Sequence, residues 1–159
     1  MEFRVAKKQE FDSVRDLYWT LIDETSHLPS FPHWKKGEHP SDEWLMDSLI
    51  KSQLFVLEEN EKILASVILN NEANESYQRV NWSREVPDEK ILIIHVLAVS
   101  PKHAGKGLGT KMMQYILDYA KKTAALTDGL QDGAFPGSAW RSLWHLSRQF
   151  LLQVPGQSA

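Results

Sequence analysis

The run Ile91-Leu92-Ile93-Ile94-His95-Val96-Leu97-Ala98-Val99 is the longest apolar stretch in the chain, and His95 is its one polar member. Nine residues are too few to cross a bilayer, and the run lacks the alternation of a half-exposed strand. Rich in β-branched residues, it predicts a central strand buried on both faces, which requires helices on either side of a sheet. Pro101 and glycines at 105, 107 and 109 follow directly. Leu108, Met112, Ile116 and Tyr119 then recur at helical spacing, with Met113, Leu117 and Ala120 beside them. Buried strand, glycine turn and amphipathic helix in succession specify an α/β fold.

The rest of the chain supplies compatible elements. Phe3, Val5 and Ala6 suggest a first strand, and Phe11, Val14, Leu17, Tyr18, Leu21 and Ile22 lay one apolar stripe along a helix from Glu10. Residues 27–40 hold three prolines, a glycine and three histidines, a turn-rich loop. Ser41 is placed to cap a short helix bearing Trp44, Leu45, Leu49 and Ile50. Residues 54–57 and 63–69 read as a hairpin that turns at Glu58 to Glu61. Residues 70–90 are polar and without apolar periodicity, a connection long enough to be functional.

Composition removes several function classes. With 159 residues the chain is one domain, and its net charge of −3 gives no case for nucleic acid or an anionic membrane as partner. No cysteine is present, which excludes disulfides, thiolate catalysis and Cys-based zinc sites. His27, His33 and His39 fit no metal-ligand spacing, so no metal is expected. Met1 to Val5 lacks a signal-peptide core, and the expected compartment is the cytoplasm.

The glycine turn is where chemistry is expected. Glycines permit positive φ and let a ligand approach the backbone without a Cβ in the way. The start of the following helix offers unpaired N–H groups and the positive end of its dipole, which suit a phosphate or pyrophosphate. Lys102, Lys106 and Lys111 add local positive charge to this anion cradle. The spacing matches neither the dinucleotide pattern G-x-G-x-x-G nor a P-loop. A plain strand-to-helix turn and a generic phosphate-binding module remain open on the residues alone.

Residues 91–122 resemble the acetyl-CoA-binding motif of the GNAT N-acetyltransferases, whose Arg/Gln-x-x-Gly-x-Gly/Ala pattern here includes Ala104-Gly105-Lys106-Gly107-Leu108-Gly109 after Leu97-Ala98-Val99-Ser100-Pro101. With the upstream element order, the resemblance covers residues 1–123. It implies a GNAT-like mixed β-sheet flanked by helices, with acetyl-CoA as co-substrate and a small-molecule primary amine as acceptor. It implies that Ala104, Gly105, Lys106, Gly107, Leu108, Gly109 and Thr110 hold the pyrophosphate, while Leu97, Ala98 and Val99 align the pantetheine arm beside a splayed parallel pairing. Direct attack of the amine on the thioester needs no covalent enzyme intermediate. Ala104 stands where the family has Arg or Gln, which removes one side-chain contact to the phosphates.

His95 is the candidate catalytic base, since an imidazole titrates near neutrality and the arylalkylamine-acetylating branch carries histidines on this strand. A satisfied core histidine is the other reading. Glu24 is a lesser candidate to orient an amine, beside its reading as an exposed helix-end carboxylate. Tyr18, Trp19, Phe31, Trp34 and Trp82 fall in segments flanking the acceptor slot, as contacts for an apolar or cationic acceptor or as core.

Residues 124–159 break the pattern. Residues 1–123 hold twelve Lys, twelve Glu and eight Ile, and the remainder holds none of the three. The chain has no tyrosine after Tyr119 and no asparagine after Asn81, where the family carries an Asn-containing loop and a tyrosine that protonates the leaving thiolate. Genuine divergence and a shifted reading frame would each produce such a break. Residues 124–131 make a poor fifth strand, and 138–153 read as a helix. That tail helix is expected to cover the exposed sheet edge or to pack against a second subunit as a homodimer. Loss of the leaving-group machinery leaves a second function open, a catalytically impaired CoA-binding domain.

Overall fold

The computed structural model describes residues 1–27, 34–70, 91–103, 105–125 and 149–153. In chain order these form β1 (Glu2–Val5), a 3-10 turn (Lys8–Glu10), α1 (Phe11–Thr25), α2 (Asp42–Ile50), β2 (Leu54–Glu59) and β3 (Lys62–Asn70). β4 (Ile91–Val99), a second 3-10 turn (Pro101–His103), α3 (Leu108–Ala125) and β5 (Gln149–Gln153) follow. One five-stranded sheet runs in the order β1-β2-β3-β4-β5.

Each central strand sends alternate side chains to opposite faces, and helices cover both. On one face Phe55, Leu57, Val67, Leu69, Ile94 and Leu97 pack with Leu108, Met112, Met113, Ile116 and Ala120 of α3. On the other, Leu54, Val56, Ile68, Val96 and Ala98 meet Val14, Tyr18 and Ile22 of α1 and Leu45 and Leu49 of α2. Full burial of such an aliphatic side chain contributes roughly 1.5–3 kcal/mol, so the two-sided core explains why β2, β3 and β4 are nearly continuous apolar runs.

Local chemistry sets the element ends. Ser41 Oγ accepts the Trp44 amide at 3.1 Å, the N-cap its position predicts. Ile50 is on α2 as expected but is 63% exposed, because Leu45 and Leu49 take the core-facing side. Arg4 clamps β1 to its neighbours by donating to Glu10 Oε1 at 2.7 Å and to Glu58 Oε2 at 2.6 Å. Those bonds hold both carboxyls below their usual range and raise the guanidinium further.

β4 carries the feature that matters most for function. Ser66 pairs with Ala98 and Ile68 with His95, so two steps along β3 answer three along β4. The extra residue is a β-bulge, and Val96 takes φ +45° there. Positive φ is rare for a β-branched residue and persists only where its surroundings impose it. Tyr18, fully buried on α1, supplies that constraint: its hydroxyl donates to the Val96 carbonyl at 2.7 Å. Burial pushes the Tyr18 hydroxyl above its ordinary pKa and keeps it a donor.

The tail differs from expectation. Residues 149–153, read from sequence as the end of a helix, are β5, antiparallel to β4 from Ile91↔Gln153 to His95↔Gln149. A short apolar run fits either element, and the open edge of a buried strand decides for the one that satisfies its backbone groups. Residues 138–148 of that expected helix, and 126–131 of the poor fifth strand, lie outside the described residues. A strand rather than a helix thus covers β4 over residues 91–95, and the pairing is antiparallel where a parallel one was expected.

Tyr18→Phe leaves the buried Val96 carbonyl without its donor. A loss of about 1–3 kcal/mol in urea unfolding is expected, since an unsatisfied buried group costs that much. A loss below a few tenths of a kcal/mol would show that the bulge does not depend on the hydroxyl.

Candidate functional site

The site begins where β5 stops. Its pairing ends at His95, so beyond that residue β4 has a strand partner only on the β3 side among the described residues. Leu97 and Ala98 bury their side chains in opposite cores, which leaves the backbone of residues 96–99 as what this edge presents. Ser100 then donates its amide to Leu64 O at 2.8 Å and anchors the turn to β3.

Gly105 and Gly107 adopt φ +80° and +72°, and beyond their chain neighbours a Cβ at either would meet no atom of the described residues within 4 Å. Among the described residues the turn is therefore not sealed by packing. Gly109 differs from the other two in lying within the first turn of α3 without positive φ. Lys111 donates the first α3 bond, to Gly107 O at 3.0 Å. Helix geometry therefore leaves the amides of Leu108, Gly109 and Thr110 without an intrahelical acceptor. Residues 105–107 and Thr110 are exposed, as are Lys102, Lys106 and Lys111, and Leu108 buries its side chain beneath the turn. Ala104 lies outside the described residues. Such a cradle can hold an anion through backbone donors with lysine charge beside it.

His95 is 4% exposed, on the same sheet face as α1 and α2. Its ring meets Trp44 edge-on at 5.6 Å, and Trp44 in turn meets His39 in a tilted contact at 5.5 Å. Its Nε2 is 2.7 Å from Asn70 Oδ1, and Nδ1 is buried with no partner among the described residues. Burial lowers its pKa from 6.5 to about 4, so the imidazole is neutral at pH 7. Asn70, Gln53 and Trp44 did not stand out in the sequence as site residues; the Asn70-Asn71 pair at the end of an apolar strand was the available signal.

The other predicted residues fall in several places. Tyr18 braces the bulge, and Trp34 packs on it at 5.9 Å. Trp19 lies under the Arg15 guanidinium at 4.9 Å, a cation of the chain itself. Glu24 is exposed at the end of α1 and makes no described contact with His95. Phe31 and Trp82 lie outside the described residues.

The sequence pattern of the acetyltransferase (GNAT) family matches residues 12–130, and the chain belongs to that family. It is 30% identical over 111 residues to the uncharacterized N-acetyltransferase YesJ of Bacillus subtilis, covering 68% of this chain and 59% of that one. The chain thus spans about three fifths of that relative's length. A Staphylococcus aureus protein assigned as an acetyltransferase superposes with a TM-score of 0.60 at 24% identity, over 78% of this chain and 74% of that one. A GNAT family acetyltransferase of Brucella melitensis, solved in complex with acetyl-CoA, gives 0.54 at 14% identity over 99% and 90%. At these identities the likeness speaks for the fold.

The burial of His95 has a measurable consequence. Unfolded, it titrates near 6.5 and folded near 4, so between these values the unfolded chain binds more protons. Its contribution is complete above pH 6.5 and is lost as pH falls toward 4. Urea midpoints should show a loss of about 2 kcal/mol between pH 7 and pH 5, reduced in His95→Gln. Glu10 and Glu58, held below their ordinary 4.5, respond only at lower pH. Equal pH slopes for both proteins would show that His95 is not buried neutral.

Proposed function

We propose that the chain is an N-acetyltransferase, with acetyl-CoA as donor and a small-molecule primary amine as acceptor, acting by direct transfer. The observation that carries this reading is the glycine turn following an edge of β4 that has no strand partner past His95 among the described residues, with a buried, neutral imidazole one residue before the bulge. The acetyl-CoA complex of the Brucella melitensis relative and the N-acetyltransferase name of the Bacillus subtilis one support the same choice.

In this reading the amides of residues 105–110 and the nearby lysines hold the diphosphate, and backbone groups of residues 97–99 align the pantetheine arm. Bound acetyl-CoA supplies an activated acyl group. The bulge takes Val96 out of the ladder with β3, and in this reading its N–H polarises the thioester carbonyl as charge develops on oxygen. The neutral amine forms the C–N bond, the C–S bond breaks, and Nδ1 of His95 accepts the proton that the nitrogen sheds. An imidazole titrating near 4 is too weak to strip a free ammonium. It suits a nitrogen made acidic by attack, so the acceptor must arrive uncharged.

A second reading, CoA binding without turnover, is favoured by residues 120–159, which hold no tyrosine to protonate the leaving thiolate. Melting with and without acetyl-CoA, followed by free-thiol release with a panel of amines, separates the two. Saturation at a hundred times Kd should stabilise the protein by about 2.7 kcal/mol. Gly107→Val, at φ +72°, should abolish most of that shift. His95→Ala should keep the shift and lower turnover by about a hundredfold or more. A shift without thiol release selects the second reading, and no shift removes both.

A further inference from the structure

The hydrogen bond on the far side of His95 continues into the protein. Asn70 closes β3 and is 7% exposed; its Nδ2 donates to Gln53 Oε1 at 3.3 Å, and its Oδ1 faces His95 Nε2 at 2.7 Å. Gln53 is itself fixed at both backbone ends. Its amide donates to Ser48 O at 2.8 Å, and its carbonyl accepts from Leu69 at 2.9 Å. These backbone bonds anchor Gln53 between α2 and β3, where its side chain accepts from the Asn70 amide.

A neutral imidazole carries one N–H, and which nitrogen bears it is set by the partner of the other. With its NH₂ group directed to Gln53, Asn70 presents a carbonyl oxygen, which accepts and cannot donate. Nε2 must then be the protonated nitrogen, and Nδ1 keeps a lone pair. The opposite tautomer would set two acceptors against each other at 2.7 Å and bury an Nδ1–H without a partner among the described residues.

We propose that Asn70, oriented by Gln53, is a positioning residue that locks His95 in its Nε2–H form and so makes Nδ1 the nitrogen that receives the acceptor's proton. The second half rests on the reading of His95 as base; the tautomer itself does not. The groups packed on the ring do not compete for this role. Trp44 from α2 packs against it edge-on, Ile68 from β3 lies opposite in register, and among the described residues no charged side chain contributes to the depressed basicity of the ring. His39, beyond Trp44, is the nearest described titratable group in that aromatic chain.

The test uses the full chain labelled with ¹⁵N at its histidines. In the wild type, His95 should show a pyrrole-type signal at Nε2 and a pyridine-type signal at Nδ1. Asn70→Asp keeps an acceptor but adds charge, so the Nε2–H form should persist while the His95 titration moves up by about one unit or more, carrying the acid limb of the rate profile with it. Gln53→Ala leaves both His95 and Asn70 in place and removes the acceptor of the Asn70 NH₂ group. It should mix the two tautomers and lower kcat by about tenfold, with KM for acetyl-CoA within about twofold. If Asn70→Asp does not fold, Gln53→Ala still decides.

An Nδ1–H wild type, or a Gln53→Ala protein with unchanged tautomer and unchanged kcat, overturns the proposal. If the tautomer is as stated but His95→Ala turns over at the wild-type rate, the base reading fails and the proposed role of Nδ1 fails with it. Acetyl-CoA binding, read separately by melting, shows whether the donor assignment survives.

Discussion

A single hydrogen bond from the middle of one helix organises the business end of the sheet. The Tyr18 hydroxyl donates to the carbonyl of Val96, the residue at positive φ where β4 steps out of register with β3. The bulge places the consecutive residues His95 and Val96 toward the same layer of helices, and it re-aims the backbone just where β5 stops pairing. Donor edge and candidate base thus meet at one irregularity. It is held from the α1 side by a group whose burial makes it hard to ionise.

The two halves of the site draw on different physics. The glycine turn is exposed, with no described residue packed on Gly105 or Gly107 and lysines in solvent. His95 is enclosed, where removal from water suppresses its charged form. An anion needs accessible donors and tolerates water; a proton acceptor for an uncharged amine benefits from neither. β4 connects the two environments within a few residues.

Much of this was legible in the sequence. The apolar run of residues 91–99 and the spacing from Leu108 onward are dictated by burial on both faces, so the central strand and α3 could be read directly. Ser41 announced α2 through its capping chemistry, and the glycines announced a turn of unusual backbone geometry. The bulge was hidden because its cause lies 78 residues away in sequence, in a tyrosine that reads simply as part of an apolar stripe. Asn70 and Gln53 were hidden for a similar reason. An amide at a strand end looks like surface until the fold buries it against a histidine. β5 was misread because Phe150-Leu151-Leu152 has no periodicity long enough to distinguish helix from strand, and the choice was made by the edge it met.

That late-sequence strand gives the sheet an uneven assembly order. β2 and β3 form a local hairpin, whereas both edges close over long stretches of chain, β1 onto residues 55–58 and β5 onto residues 91–95. Loop-closure entropy falls most heavily on such distant pairings, so the interior strands can associate first and the flank of the donor slot is completed last. Until then, β4 carries an unpaired hydrogen-bonding edge over residues 91–95. Completion of this flank is thereby tied to the pairing of residues 149–153.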